Sequence, residues 1–479
     1  MASLAAADAI VVGAGPNGLA AAVTLARAGL AVRVIEGAGT PGGGCRTQEL
    51  TLPGFRHDVC AAVHPLAAAS PFFQRLDLAG LGVTLRTPKV AFAHPLDGGR
   101  AAWLANSVDE TAGALGVDGP SYRRLLAPLV RDAPLTLPSL LAPLRSVPGH
   151  PLAMARFGLD GIPPATMVAR RFRTEEAQAL LAGVAAHTMQ PLTAPGTGAF
   201  GLTLMMIAHL VGWPVVEGGS SGLIDALVAE LAAHGGRVET GHWVRSLAEL
   251  PPARAVLLDV TPRQLAALNG GSIPGVEGRA LRHFQYGPGV CKVDWALSGP
   301  VPWQAAACRE AGTVHLGGTL AEIARSEAQA AAGKHAERPY CLVAQPGVVD
   351  PTRAPAGQHT LWGYCHVPSG STVDVSDRIE AQIERFAPGF RDLILARSVR
   401  TAVGMERYNP NYVGGDINSG AATLRQTLFR PTARWNPYRT PLPGIYLCSA
   451  STAPGGGVHG MCGDGAARTV LADLGLRPS

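Results

Sequence analysis

The run Ile10-Val11-Val12-Gly13-Ala14-Gly15-Pro16-Asn17-Gly18 limits what this chain can fold into more than any other stretch. An apolar strand runs straight into G-x-G-x-x-G, and Leu19 to Arg27 then reads as an Ala-rich helix. Gly29 stops that helix, Ala31 to Ile35 makes a second strand, and Glu36 closes it. Gly13 permits the tight strand-to-helix turn, Gly15 lets backbone approach a pyrophosphate, and Gly18 lets helix pack close on strand. Pro16 and Asn17 complete the turn at the helix start, where free N–H groups and the helix dipole attract phosphate charge. Glu36 falls about twenty residues beyond the glycines, where a carboxylate binds ribose hydroxyls. The spacing predicts a β-α-β dinucleotide cradle and an α/β fold with a Rossmann-type domain.

That fingerprint serves both nicotinamide and flavin dinucleotides. The continuation, Gly37-Ala38-Gly39-Thr40-Pro41-Gly42-Gly43-Gly44-Cys45-Arg46, places a second glycine cluster directly after the ribose carboxylate. It resembles the flavoprotein pattern in which a double glycine, here Gly43 and Gly44, and a nearby Arg46 line the FAD diphosphate and ribityl chain. FAD is therefore the expected cofactor, with Glu36 and Gly37 at its ribose.

At 479 residues the chain exceeds what one core usually supports, so two domains are expected. With 47% hydrophobic and 16% charged residues it has the makings of a large core, and a net charge of +5 over this length is mild. No basic run or aromatic-spaced Arg/Lys stripe appears, which argues against nucleic acid as a partner. The eight cysteines lack C-x-x-C or C/H spacing, so no metal site is expected. With no export signal, they read as reduced thiols in a cytoplasmic protein. No apolar run reaches membrane-spanning length; Phe200 to Val211 is the longest candidate and is too short.

From Val108 to Met189 the pattern is helical, and prolines between Arg124 and Pro148 break it into short helices. Such Leu/Pro-rich, Arg-edged stretches suit the outer layer of a substrate domain and leave peripheral membrane contact open. Rossmann-type material then returns: a glycine turn and helix from Val216 to Leu227, strands at Arg237–Thr240 and Trp243–Arg245, and the buried strand Ala253–Val260 leading into Thr261-Pro262. The expected division is a discontinuous FAD domain of residues 1–70, 215–284 and 435–479, with an α+β substrate domain of 71–214 and 285–434. Near the end, strand Gly444–Cys448 is followed by Gly455-Gly456-Gly457-Val458-His459-Gly460 and another helix.

These residues together resemble the phytoene desaturase-like branch of the flavin amine oxidase superfamily, and within it the subgroup of pyridine nucleotide-disulphide oxidoreductase domain-containing protein 2. The resemblance is tightest at Ile10 to Asp58, Gly218 to Thr261, Asn409-Pro410-Asn411 with Gly414 to Ile417, and Tyr446 to Ala467. It implies non-covalent FAD and desaturation, saturation or isomerisation of carbon–carbon bonds in an apolar, polyene or isoprenoid-like substrate. It also implies that the Gly457-Val458-His459 turn faces the flavin pyrimidine, with Val244 and Ser451 as further cofactor contacts. The chain departs from the family at Ser449-Ala450-Ser451-Thr452, where others carry Gly with an acid, and at Cys45, where small residues are usual. Cys45 reads as a buried thiol rather than a flavin attachment point.

His459 is a candidate general base, because neutral imidazole accepts protons near pH 7; its other reading is a ring that shapes the turn. His64 is a second catalytic candidate, and Tyr408, Asn409 and Asn411 read as turn formers. Two rival functions stand beside the first: an FAD-dependent amine or alcohol oxidase using oxygen, and a flavoprotein kept for binding. A long apolar cavity over the flavin points to a polyene, and a small one with an aromatic pair points to an amine. A monomer or a homodimer is expected.

Overall fold

A computed structural model of the protein describes residues 7–477. Its first sheet is five-stranded and wholly parallel, with Ala9–Val12 at its centre. Val32–Ile35 and Arg237–Glu239 lie on one side of that strand, and Ala255–Leu258 and Ile445–Leu447 on the other. Strands buried on both faces read as unbroken apolar runs, and Ala9–Val12, Ala255–Leu258 and their helices show why. The opening helix Pro16–Arg27 packs against the closing helix Met461–Asp473 so tightly that a Cβ on Gly463 would stand 1.8 Å from the Asn17 carbonyl oxygen. The two ends of the chain thus share one core, with Leu19, Val23, Ala466 and Val470 inside it.

The second sheet has seven strands, ordered from Ile394–Arg400 through Gly289–Leu297, His359–Val367, Cys341–Ala344, Ala311–Leu316 and Val90–Pro95 to Ala101–Ala105. Its helical cover includes Glu175–Ala185 and the all-round apolar Thr197–Val211. The hairpin Val90–Ala105 turns at Asp97–Gly99.

Two details differ from expectation. The segment just after residue 70 packs on the dinucleotide core, because Phe72, Phe73, Leu76 and Val83 bury their side chains there. Residues 243–245 form no strand; Gly241 (φ +73°) turns the chain away after Glu239, and Trp243 is left half exposed.

A buried ionic cluster ties together segments far apart in sequence. Arg353 donates to Asp58 (2.8 Å), to Asp350 (2.6 Å) and to the Val216 carbonyl (3.0 Å), so one guanidinium joins three of them. All eight cysteines are free and buried. Among the described residues no helix is long and apolar enough to cross a membrane, and no cluster of metal-ligating side chains occurs.

Candidate functional site

A cavity of about 590 Å³ runs between the sheets. Gly13, Gly15, Pro16, Asn17, Glu36, Gly37, Gly43, Gly44, Arg46, Val244, Gly457 and Val458 all line it. The opening turn needs its glycines for separate steric reasons. Gly13 has φ +102°, closed to other L residues without strain, and a Cβ on Gly18 would meet the Gly13 carbonyl oxygen at 2.1 Å. The second glycine cluster lies directly against the first, since a Cβ on Gly43 would come 3.2 Å from the Gly15 Cα.

Glu36, at the end of its strand, accepts from the backbone N–H of Ala14 (2.7 Å) and of Ala38 (2.9 Å) and pairs with Arg46 (3.3 Å). Its position is fixed before any ligand arrives. Arg46 also donates to the Thr40 carbonyl (2.7 Å) and stacks on the Tyr408 ring.

Three predicted residues are placed elsewhere. Gly18 serves packing rather than contact. Ser451 is fully buried and donates to the Ser419 carbonyl (2.8 Å), while Ser449 and Ala450 reach the cavity two and one residues earlier. His459 is corrected as a catalytic candidate. Its Nε2 lies 3.1 Å from the Gly455 carbonyl and its Nδ1 accepts from the Met461 N–H (3.0 Å), so backbone occupies both nitrogens. Burial pushes its pKa down to about 4, and the ring shapes the turn. His64 lines the cavity, bound through Nε2 to Ser220 (2.7 Å).

Several site residues escaped sequence reasoning. Tyr408 is more than a turn former: its hydroxyl donates to the Gly43 carbonyl (2.8 Å). Asn411 donates to the Asp259 carbonyl (2.8 Å) and accepts from Thr261 N–H (3.2 Å), clipping the loop 409–411 over the parallel sheet. Asp259, just past the strand Ala255–Leu258, accepts from Gly18 N–H (3.0 Å) inside the phosphate turn. Burial, with the charge of Glu36, pushes its pKa up to about 7. An acid at the carboxyl end of the strand neighbouring the fingerprint was the available signal. From the second sheet come Leu342, Trp362 and Tyr364, joined by His187, Leu204 and Trp213. Trp362 and Tyr364 meet edge to face at 5.3 Å and 87°, and the Lys292 ammonium, ion-paired to Asp294, lies 5.5 Å from the Trp362 ring.

The cavity meets the requirements of FAD. Two glycine turns face each other as a diphosphate cradle, and Glu36 stands where ribose hydroxyls belong. Asn17 Oδ1 and Gln264 Oε1 belong to lining residues and are buried polar atoms with no hydrogen-bond partner among the described residues. Cys45 is fully buried, and burial raises its thiol well above the usual range, so it stays an unreactive thiol.

A parallel-sheet dinucleotide cradle joined to a large mixed-sheet domain defines the class: an FAD-dependent oxidoreductase. Comparison with known proteins agrees. The family model described as "NAD(P)-binding Rossmann-like domain" matches residues 11–76, the β-α-β unit that nicotinamide and flavin sites share. Over nearly all of its length the chain is similar to pyridine nucleotide-disulfide oxidoreductase domain-containing protein 2: with the rat protein it shares 29% identity over 98% of this chain and 94% of the other. A hydroxysqualene dehydroxylase of Rhodopseudomonas palustris is 29% identical over 61% of this chain and 72% of its own. One component of the limonene dehydrogenase of Castellaniella defragrans is 34% identical over 21% of this chain and 19% of its own. Among solved structures, an oxidoreductase from Methanosarcina mazei has a TM-score of 0.63 at 16% identity, covering 98% of this chain and 99% of its own. Cyclohexylamine oxidase from Brevibacterium oxydans has a TM-score of 0.60 at 15% identity, covering 98% and 100%. At these identities the structures speak for the fold alone.

Proposed function

We propose that this protein removes hydrogen across a carbon–carbon bond of a compact, apolar, isoprenoid-like molecule, with FAD as the oxidant. The observation that carries this reading is the wall beyond the dinucleotide. Val63, Leu66, Leu204, Trp213, Leu342 and Trp362 line it, whereas the acidic lining residues, Glu36 and Asp259, stand at the dinucleotide end. A substrate ammonium would lie in that apolar lobe with no carboxylate to pair it, which costs several kcal/mol. Bound FAD supplies a two-electron acceptor that takes hydride. The chain supplies shape and dryness: Trp213 is fixed by its indole N–H on the Thr313 hydroxyl (2.9 Å), and Trp362 and Tyr364 hold aromatic surfaces in place.

The names of two relatives, for hydroxysqualene and for limonene, lend support, since both are isoprenoid skeletons. A cavity of about 590 Å³ must also take the dinucleotide, which favours a substrate shorter than a long polyene. The Trp362–Tyr364 pair favours a second reading, amine oxidation, by the criterion set from sequence. The test is anaerobic mixing of FAD-loaded protein with limonene and, separately, with cyclohexylamine. The terpene is expected to bleach the flavin absorbance. Bleaching by the amine alone would transfer the assignment to the second reading.

A further inference from the structure

We propose that His187 is the cavity-facing proton acceptor of this site, with His315 behind it as the hydrogen-bond partner that fixes its tautomer. This rests on the carbon–carbon reading above. Breaking two C–H bonds to make one π bond releases a hydride and a proton. FAD takes the first; the second needs a base within the substrate lobe.

His187 sits on the turn Ala186–Thr188 after the helix Glu175–Ala185, and part of its ring surface opens to the cavity. Its Nε2 lies 2.9 Å from Nε2 of His315, with the rings at 88°. One of these nitrogens carries a hydrogen and the other a lone pair. Among the described residues His187 Nδ1 has no hydrogen-bond partner, yet it is not sealed off as the Nδ1 atoms of His64, His94 and His315 are. It is the imidazole nitrogen available to a substrate. His64 competes poorly, because Ser220 holds one nitrogen and the other is enclosed.

The two supporting rings sit side by side on parallel strands, His94 on Val90–Pro95 and His315 on Ala311–Leu316, both fully buried. His94 Nε2 lies 2.7 Å from the Gly318 carbonyl, which requires an N–H there and leaves Nδ1 as a lone pair. Gly183 makes this layer possible, since a Cβ there would come 2.8 Å from His94 Nδ1 and 2.9 Å from His315 Cβ. Nearby, Tyr340 stacks on His315 at 6.1 Å, and His366 is bound to Glu327 at 2.7 Å. Burial lowers the pKa of His187 to about 3 and of His94 to about 4, so the rings meet substrate neutral. A purely structural account fits badly. Buried imidazole nitrogens without partners each cost ~1–3 kcal/mol, and apolar side chains would fill the same space without that cost.

With FAD bound, one C–H electron pair would leave as hydride, the oxidation that this cofactor supplies. The adjacent C–H gives its proton to His187 Nδ1, and its electron pair becomes the new π bond. His187 holds that proton as imidazolium, its Nε2–H donated to the His315 Nε2 lone pair, until the product leaves and the cavity opens to water.

The test has two arms. FAD-loaded protein carrying ¹⁵N-histidine is titrated with 4-methylphenol, an apolar hydroxyl donor. The Nδ1 resonance of His187, assigned by its loss in His187→Phe, is expected to shift, and that of His64 to stay. In the second arm, limonene bleaching of the flavin is expected to slow about 100-fold in His187→Phe and about tenfold in His315→Leu. Both variants are expected to keep FAD affinity within about twofold, and His315→Leu to change the tautomer seen at His187, which a merely structural role would not move. If His187→Phe fails to fold, His187→Gln keeps a hydrogen-bonding group without a basic nitrogen. Bleaching at the wild-type rate in the variant, or an unmoved Nδ1 in the titration, overturns the proposal. If limonene leaves the wild type oxidised, the substrate reading fails, and the phenol titration still decides the role of His187.

Discussion

The two ends of the cavity are built from different materials. The dinucleotide end is mostly backbone: Gly13, Gly15, Gly43 and Gly44 bring main chain against a ligand, with Glu36 and Arg46 as an anchored ion pair. The substrate end is mostly side chain, large and pinned, as in Trp213, Trp362 and Tyr364. The contrast matters because a backbone cradle tolerates almost no added atom, while a side-chain wall tolerates exchange at the expense of selectivity. Damage should therefore separate cleanly, cofactor lost at one end and substrate lost at the other.

The largest expected effect attacks the backbone end. Gly18→Val puts a branched side chain where even a Cβ meets carbonyl oxygen at 2.1 Å, and nothing flexible can yield. Purified protein is expected to come out colourless and to bind added FAD at least about 1,000-fold more weakly, by flavin fluorescence. A yellow Gly18→Val protein would remove the distinction between the two ends. Next comes the buried Arg353 clamp. Arg353→Met leaves Asp58 and Asp350 buried without their partner, and breaking such a cluster costs about 3–5 kcal/mol. Chemical denaturation should show that loss. It should show less if both acids are changed to Asn as well, because the stranded charges then disappear.

How much of this was readable in the sequence follows the same division. The cradle was readable because turn, helix start and carboxylate are fixed by local spacing within one β-α-β unit. The second sheet was not. Trp362 and Tyr364 share a face only as alternate residues of one strand, and Lys292 and Asp294 stand opposite them only in the antiparallel register. His187 and His315 are 128 residues apart, and Gly18 and Asp259 are 241 apart. No periodicity signals such pairs. His459 misleads for the opposite reason: a histidine inside a glycine turn looks reactive, but the turn folds its own carbonyl and N–H onto the ring. Ser451 misses by two residues because the chain leaves the strand Ile445–Leu447 through a turn in which Ser449, not Ser451, faces inward.

A side-chain wall predicts milder, separable losses. Trp362→Leu removes an aromatic face and its cation–π contact with Lys292, yet touches no residue of the dinucleotide turns. FAD affinity should stay within about twofold while KM for limonene, as the proposed kind of substrate, rises about tenfold to 100-fold, the range for losing part of an apolar pocket. A variant that instead lost FAD would show that the wall and the cradle fold as one unit.

The smallest expected effect tests a side chain that intrudes on the phosphate turn itself. Asp259 stands in the phosphate turn, and its carboxyl is raised from 3.8 to about 7, so the folded protein holds a proton there that the unfolded chain releases. Its contribution to stability is whole below about pH 4 and is lost as the pH climbs through about 7. The same ionisation sets a negative charge beside the bound diphosphate. FAD affinity is accordingly expected to fall from pH 6 to pH 8. Asp259→Asn, which keeps an oxygen for the Gly18 N–H but cannot ionise, should flatten that fall and bind FAD about tenfold more tightly at pH 8. Equilibrium titration of FAD at both values decides it. An unchanged slope in the variant would mean that the acid stays protonated beside the diphosphate throughout, leaving the cradle electrically as well as sterically a backbone site.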